Sequence, residues 1–117
     1  NLEYVGGYLS LEKTPIKSLG KLEYVGDDLY LEKTLIKSLG SLKHVRGSLN
    51  LNEIPIESLG DLKHVEGDLN LYDTQIKSLG NLEYVWGDLD IENTPLSKTM
   101  SEDEIRSKVN VGGNIYI

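Results

Sequence analysis

The chain has 117 residues, with 12 Lys plus Arg against 19 Asp plus Glu and no Cys, so its formal net charge is -7 at pH 7. Affinity for nucleic acids and for anionic membranes comes mainly from Lys and Arg, and thiolate metal sites and disulfides need Cys, so this composition argues against all of these. No apolar run approaches the roughly 18 to 20 residues that a membrane span needs, and we expect a soluble, cytoplasmic protein.

A 20-residue repeat runs from Asn1 to about residue 100. Five segments align without a gap, and six apolar positions recur in the first four of them, in the first segment Leu2, Val5, Leu9, Leu11, Ile16 and Leu19. The fifth segment keeps five of the six and has Thr99 at the last. Only Leu9-Ser10-Leu11 and its equivalents alternate between apolar and polar residues, which predicts one short strand per segment. One segment is too short to bury its apolar side chains, whereas stacked segments bury them. The pattern therefore predicts a mainly β fold, a parallel β-solenoid with one strand row in residues 1–100.

Most of the glycines fall into two further columns of the repeat. One column follows the Ser-Leu pairs, at Gly20, Gly40, Gly60 and Gly80, and the other precedes the strand, at Gly7, Gly47, Gly67 and Gly87. At both places we expect a bend that needs a positive φ or no Cβ. The second segment differs, because it has Asp27 in the glycine position and Gly26 one place earlier.

The strand region resembles a known class of repeat protein. The run Leu9-x-Leu11-x-x-Thr14-x-Ile16 resembles the leucine-rich repeat signature L-x-L-x-x-N-x-L, and Val5-x-Gly7-x-Leu9-x-Leu11 resembles the I-x-G-x-L-x-I of receptor L domains. The chain is also similar to short leucine-rich-repeat proteins of bacteriophages. The resemblance covers nearly the whole chain. It implies a right-handed solenoid that recognises a partner by its surface rather than by catalysis, as part of a larger phage or bacterial protein.

Two departures from the leucine-rich signature stand out. The first Leu of that signature is replaced by an apolar residue one place earlier, at Val5. The Asn position is occupied by Thr in four segments and by Ile54 in the third. Because Ile54 has no hydrogen-bonding side chain, we expect an interruption there in a buried ladder of side-chain bonds.

The repeat stops after Leu96, and residues 101–117 are predicted to form a C-terminal cap. Ser101 followed by Glu104 is a capping box, which predicts a helix from about 102 to 108 with Ile105 and Val109 facing the core. The last seven residues repeat the pattern of the strand region, which predicts a final strand at about 113–117. Such a cap prevents chain-to-chain stacking at this end. The first coil has no comparable cap, so either more chain precedes it or it pairs with a partner or a second copy.

The candidate recognition residues are outward side chains of the predicted strand row. Tyr offers a large amphipathic surface and Asn offers adaptable hydrogen bonds, while the acidic members favour a protein partner with a basic patch. Residues 1–60 contain 8 acidic and 7 basic residues, giving -1, and residues 61–117 contain 11 and 5, giving -6. The predicted partner-binding residues are Tyr8, Asp28, Tyr30, Glu32, Asn50, Asp68, Asn70, Tyr72, Asp88 and Asp90.

Two alternatives to protein recognition stay open. The polar row is also typical of the solvated face of a structural spacer or assembly segment, whose first coil would stack on another coil. Carbohydrate binding by the same tyrosines is the third interpretation.

A second column consists of rings, at Tyr4, Tyr24, His44, His64 and Tyr84. We interpret it as a structural stack, since two His without a third ligand do not make a metal site. Trp86 lies nearby, and it either packs against the cap helix or is an exposed anchor.

The residues required for catalysis are missing from the pattern. There is no Cys, no Ser in a nucleophile-elbow context and no phosphate loop that ends in Lys-Ser or Lys-Thr. Asp68 and Asp88 would imitate a glycosidase pair, but the repeats carry no insertion that forms a groove. We therefore predict a protein that is not an enzyme and needs no cofactor or metal.

Overall fold

Each 20-residue coil contributes two short strands on either side of a bend, in a computed structural model that describes residues 4–117. All pairing is parallel, and the strands form two six-stranded sheets. Sheet 1 contains β1 (Tyr4–Val5), β3 (Tyr24–Val25), β5 (His44–Val45), β7 (His64–Val65), β9 (Tyr84–Val85) and β11 (Asn110–Val111). Sheet 2 contains β2 (Leu9–Ser10), β4 (Leu29–Tyr30), β6 (Leu49–Asn50), β8 (Leu69–Asn70), β10 (Leu89–Asp90) and β12 (Ile115–Tyr116).

The register of both sheets reproduces the columns of the sequence. Tyr4 pairs with Tyr24 and Leu9 with Leu29, and the last coil continues the register after the cap helix, with Leu89 opposite Ile115. The predicted mainly β, parallel solenoid is thus confirmed. The expected single strand row is corrected to two, because the Tyr-Val pair of each coil also bonds to the next coil. Its two residues are too short a run to show an alternating pattern.

The hydrophobic core is a continuous column of aliphatic side chains that runs through the inside of the stacked coils. In the second coil the side chains of Val25, Leu29 and Leu31 are completely buried, and the same holds for their equivalents in the next three coils. In the first coil Val5 and Leu9 are only partly buried, since an end coil is covered on one side. Burial of these aliphatic side chains is the main favourable contribution to folding.

The two glycine columns are required for different reasons. Gly20, Gly40, Gly60 and Gly80 have φ between 56° and 61°, in the left-handed region that glycine tolerates best. At Gly67 a Cβ would lie 2.6 Å from Ser48 Oγ and 2.8 Å from Ser48 N, so the neighbouring coil excludes a side chain there. Gly7 faces open space within 4 Å. The first column therefore favours glycine because of its positive φ. The second column favours glycine because the neighbouring coil leaves no room for a Cβ.

A turn stabilised by Thr follows the second strand of most coils. The turn residue has a positive φ of 56° to 60° without being Gly, as at Lys13 and Asp73. The Thr next to it donates its hydroxyl to the carbonyl three residues earlier, for example Thr74 Oγ1 to Leu71 O at 2.8 Å. Each of these bonds lies within one coil, and the column is interrupted at Ile54 as expected. Ile54 is buried in the third coil and removes a single turn bond.

The C-terminal cap begins with a short 3-10 helix at Leu96–Lys98, and α1 then spans Glu102–Lys108 where the capping box predicted it. The box is complete, and the backbone N–H of Ser101 lowers the pKa of Glu104. Ile105 and Val109 are buried, as expected. The final strand predicted at about 113–117 is confirmed as β12, and the last coil also contains β11.

Arg106 covers the edge of the last coil. Its guanidinium donates to the carbonyl oxygens of Val111 at 3.0 Å and Gly113 at 2.9 Å, and Nε pairs with Glu102 at 3.0 Å. A cation on the edge carbonyls blocks the pairing of another strand. The cap therefore closes this end by hydrogen bonding as well as by apolar cover.

Alanine substitutions at two glycines of the same column test the close approach of the coils. We expect Gly67→Ala to lower the free energy of unfolding by about 1–3 kcal/mol, because its Cβ would overlap backbone atoms of the preceding coil. Gly7→Ala is the matched control, and its stability should be unchanged or raised by up to about 1 kcal/mol. Urea unfolding followed by circular dichroism measures both, and equal stabilities would contradict this explanation of the column.

Candidate recognition surface

The ten predicted recognition residues lie in three adjacent columns on the outside of sheet 2, which we call the strand face. Leu9 and Leu11 point into the core, and the residues that alternate with them point outward. Each column is named after its first residue. The Tyr8 column is Tyr8, Asp28, Ser48, Asp68, Asp88 and Asn114; the Ser10 column is Ser10, Tyr30, Asn50, Asn70, Asp90 and Tyr116; the Glu12 column is Glu12, Glu32, Asn52, Tyr72 and Glu92.

The acidic side chains of the Tyr8 column bond one coil to the next. Asp28 Oδ1 accepts the backbone N–H of Ser48 at 2.7 Å, and Asp68 Oδ1 accepts that of Asp88 at 2.7 Å. Asp88 Oδ1 likewise accepts the N–H of Asn114 at 2.8 Å. A bond from a charged acceptor is stronger than a neutral one. These carboxylates therefore stabilise the bend between the two sheets, a role that the sequence analysis missed although a Gly precedes the residue whose N–H they accept.

Tyr8 explains the irregular second coil. A phenol at this position does not supply the acceptor that Asp68 and Asp88 supply, and the N–H of Asp28 is bound instead by Asp27 Oδ1 at 2.9 Å. Asp27 thus replaces both the glycine and the missing acceptor.

The Ser10 column stabilises the turn that follows each second strand. The Oδ1 atoms of Asn50, Asn70 and Asp90 accept the backbone N–H two residues later, at 2.9 to 3.1 Å. Such Asx bonds are typical of tight turns. Asn50 also donates to Glu32 Oε1 at 2.8 Å. These hydrogen bonds hold the three side chains in one orientation. The second carboxylate oxygen of Asp90 has no partner among residues 4–117.

The tyrosines of the strand face fall into two groups. Tyr30 donates its hydroxyl to Asp28 Oδ2 at 2.7 Å, and this bond is the main cause that raises the pKa of Tyr30. Tyr8 is 68% exposed and Tyr72 is 41% exposed, and within the described residues neither phenol makes a hydrogen bond. Of the predicted tyrosines, Tyr8 and Tyr72 are therefore the ones whose rings are available to a partner.

The rings of sheet 1 form a continuous stack, which we call the ring row. Centroids are 4.6 Å apart for Tyr4 and Tyr24, 5.3 Å for His44 and His64, and 4.4 Å for His64 and Tyr84. The predicted structural stack is confirmed. The planes of neighbouring rings lie 5° to 24° apart except at His44 and His64, which meet edge to face at 72°.

Each His of the ring row pairs with a carboxylate. His44 Nε2 lies 2.5 Å from Glu66 Oε2, and His64 Nε2 lies 2.9 Å from Glu83 Oε1. The two pairs use different carboxylates. Within residues 4–117 no three His, Asp or Glu side chains converge as a metal site would require.

Trp86 lies beside the last ring of the ring row. Its centroid is 5.0 Å from that of Tyr84 with the planes tilted by 60°, and 62% of the residue is exposed. Such exposure does not agree with the first of the two alternatives for Trp86, packing against the cap helix. The exposed position agrees with the alternative, an anchor for a partner.

No family of proteins, no curated protein and no solved structure matches this chain. Its function is therefore inferred from its own geometry. Within the described part of the chain, no helix is long and apolar enough to cross a membrane.

Substitutions at Asp68 separate the structural role of the strand-face acids from their charge. We expect Asp68→Ala to lower the free energy of unfolding by about 1 kcal/mol, because the N–H of Asp88 loses its acceptor. Asp68→Asn keeps an acceptor oxygen and should restore most of this loss. Glu92→Ala, at an exposed carboxylate without a side-chain hydrogen bond among the described residues, is the control and should be neutral. Thermal unfolding of the four proteins measures these differences, and equal losses for Asp68→Ala and Glu92→Ala would refute the coil-to-coil role.

Proposed function

We propose that this protein is a non-enzymatic recognition module that binds a protein with a basic patch through the strand face. The observation that carries the proposal is a surface on which two exposed tyrosine rings lie among carboxylates that are held by hydrogen bonds. The carboxylates are fixed by bonds such as Asp88 N to Asp68 Oδ1, so little side-chain entropy is lost on binding. Tyr8 and Tyr72 supply the amphipathic area that interfaces favour.

The distribution of charge supports a basic partner. Asp68, Asp88 and Asp90 each bind one backbone N–H through one oxygen, which leaves the other oxygen for an incoming cation. They lie in the half of the chain, residues 61–117, whose 11 acidic and 5 basic residues sum to -6. Complementary charge mainly accelerates association and selects among partners.

Catalysis is not part of the proposal. The two neighbouring carboxylates that would form an acid-base pair, those of Asp68 and Asp88, are both engaged by backbone N–H groups of the next coil. Their positions are explained by the bend they stabilise. A structural explanation of both side chains removes the observation that would have favoured glycoside hydrolysis.

The resemblance to leucine-rich repeats and receptor L domains supports recognition by a surface. The parallel stacking and the 20-residue spacing agree with that resemblance, as does the outward row of side chains. We extend the proposal to a module of a larger phage or bacterial protein that acts in the cytoplasm. A chain without Cys needs no oxidising compartment.

Substitution of the exposed tyrosines tests the strand face. In affinity capture from a bacterial lysate followed by mass spectrometry, we expect one reproducible basic protein to be retained by the wild type. The double variant Tyr8→Ala and Tyr72→Ala should lose at least tenfold of it, because Tyr is a frequent hot spot at interfaces. Leu35→Ala, at an exposed apolar residue outside the strand face, is the matched control and should retain the protein.

Circular dichroism establishes that both variants are folded before capture is compared. Equal capture by the wild type and the double variant would contradict recognition through the strand face. If Leu35→Ala lost as much of the captured protein as the double variant, the capture would be attributed to nonspecific apolar association.

An assembly segment is the second candidate, and the first coil favours it. Val5, Leu9 and Leu11 are only partly buried, unlike their equivalents in the second coil. The carbonyls of Asp28 and Tyr30 accept the N–H groups of Leu9 and Leu11. Their equivalents in the first coil, Tyr8 and Ser10, accept no backbone bond among residues 4–117. Such an edge pairs readily with another strand.

Sedimentation equilibrium tests the assembly candidate. We expect a dimer that Leu9→Lys converts to a monomer, because a charge on the partly exposed core of the first coil opposes its burial. Leu35→Lys places the same charge outside this edge and should leave the dimer intact. A monomeric wild type at the highest concentration measured would reject self-association.

A further inference from the structure

One outward column lies between the ring row and the strand face, and its side chains fill the space beside the rings. This column, which we call the Gly6 column, is Gly6, Gly26, Arg46, Glu66, Trp86 and Gly112. Glu66 reaches back to the ring of the preceding coil, where its Oε2 lies 2.5 Å from His44 Nε2. Arg46 has its Nε 3.8 Å from Glu66 Oε2, and interaction with the phenol of Tyr24 in the preceding coil is the main cause that raises the pKa of Arg46.

At the C-terminal end of the ring row, no side chain of the Gly6 column lies beside the ring of Tyr84. The member of the column in the next coil is Gly112, and a Cβ at Gly112 would clash with the carbonyl oxygen of Trp86. The close approach of the last two backbones therefore keeps this position free of a side chain. A cavity of about 130 Å³ remains there, lined by Tyr84, Trp86, Asn110, Val111 and Gly112.

We propose that this cavity binds an arginine side chain of a partner protein. The chain supplies its own precedent, because Arg46 occupies the equivalent place beside Tyr24, three coils earlier in the same column. Trp86 adds an exposed indole tilted by 60° to the Tyr84 ring, and an indole is the best of the aromatic side chains for attracting a cation. On the same measure a water molecule needs about 10–15 Å³, so the cavity has room for the planar end of a side chain.

The net charge of the C-terminal half of the chain favours a cation, since residues 61–117 sum to -6 from 11 acidic and 5 basic residues. Glu83, which precedes Tyr84 in the chain, pairs with His64 at 2.9 Å. Arg106 is the basic group that bonds to this coil, through Val111 O and Gly113 O, and Glu102 pairs with it at 3.0 Å. Its charge is thus opposed by a carboxylate of its own helix.

Arginine fits this cavity better than lysine for a physical reason. A guanidinium is planar, stacks on aromatic rings and is less strongly hydrated, whereas an ammonium is a compact and strongly hydrated charge. The phenol of Tyr84 offers an oxygen to a guanidinium N–H, as that of Tyr24 does to Arg46. The inference rests on the proposed function only in assigning the arginine to a basic protein, since arginine binding itself can be measured without the partner.

The single Trp of the chain makes a direct experiment available. Trp86 fluorescence is titrated with a blocked tri-arginine peptide, with tri-lysine and tri-glutamate as matched probes. We expect saturable quenching by tri-arginine, weaker binding of tri-lysine and no response to tri-glutamate. Equal affinities for tri-arginine and tri-lysine would overturn the proposal, because attraction to the net negative charge alone would then explain them.

Variants locate the binding site. By calorimetry, Trp86→Leu and Tyr84→Leu should each weaken tri-arginine binding about two- to tenfold. Tyr72→Ala, on the strand face, is the matched control and should bind as the wild type does. Trp86 is mostly exposed, so its variant tests the site without the loss of core packing that removal of a stacked ring brings. Unchanged affinity in Trp86→Leu would overturn the assignment.

The same variants separate this inference from the proposed function. Capture of the basic partner should fall in Trp86→Leu as well as in the strand-face double variant. If tri-arginine binds at Trp86 specifically but the strand-face double variant still captures the partner, the arginine site is supported and recognition through the strand face is wrong. If tri-arginine binding is nonspecific while the strand-face variant loses the partner, the arginine site is wrong and the proposed function stands.

Discussion

The hydrogen bond from a backbone N–H of one coil to a side chain of the coil before it is the constraint on which the structure depends. At the bend between the two sheets Asp68 Oδ1 reaches the N–H of Asp88 at 2.7 Å. A Cβ on Gly87 would clash with that oxygen, so the glycine and the carboxylate are required together. From the second coil onward, each coil in this way aligns the next one.

This constraint also shapes the surface that a partner meets. Asp68, Asp88 and Asp90 each accept a backbone N–H through one oxygen, and the other oxygen has no partner among residues 4–117. Asp28 differs, because Tyr30 donates to its second oxygen. Tyr8 and Tyr72 project from the same face without internal bonds among the described residues, and Trp86 projects beside the ring row. In the function we propose, carboxylates that are already held by hydrogen bonds need little ordering when a basic protein binds.

Local patterns predicted a large part of this protein. The capping box at Ser101 and Glu104 predicted α1, because its hydrogen bonds form between residues three apart in the chain. The stacking of Tyr4 on Tyr24 was also predictable, since equal residues at a 20-residue spacing must meet in a stacked solenoid. The roles of Asp28 and Asp68 were not, because their partners lie in the next coil and an outward acid looks the same whether or not it accepts an N–H. The sequence left open whether Trp86 is packed or exposed for a similar reason, because its surroundings depend on where the cap helix lies.

The repeat therefore determined the class of fold, the columns of the core and the position of the cap, since each follows from spacing along the chain. Packing of one coil on another decided the rest. It added the strand row of sheet 1, whose two-residue segments are too short to show a periodic pattern. It also brought carboxylates of the strand face to backbone N–H groups of the next coil, where they stabilise the bend, and it left an open cavity at Gly112. These features depend on distances between backbones that are 20 or more residues apart in the chain, and those distances are set only when neighbouring coils compete for the same space.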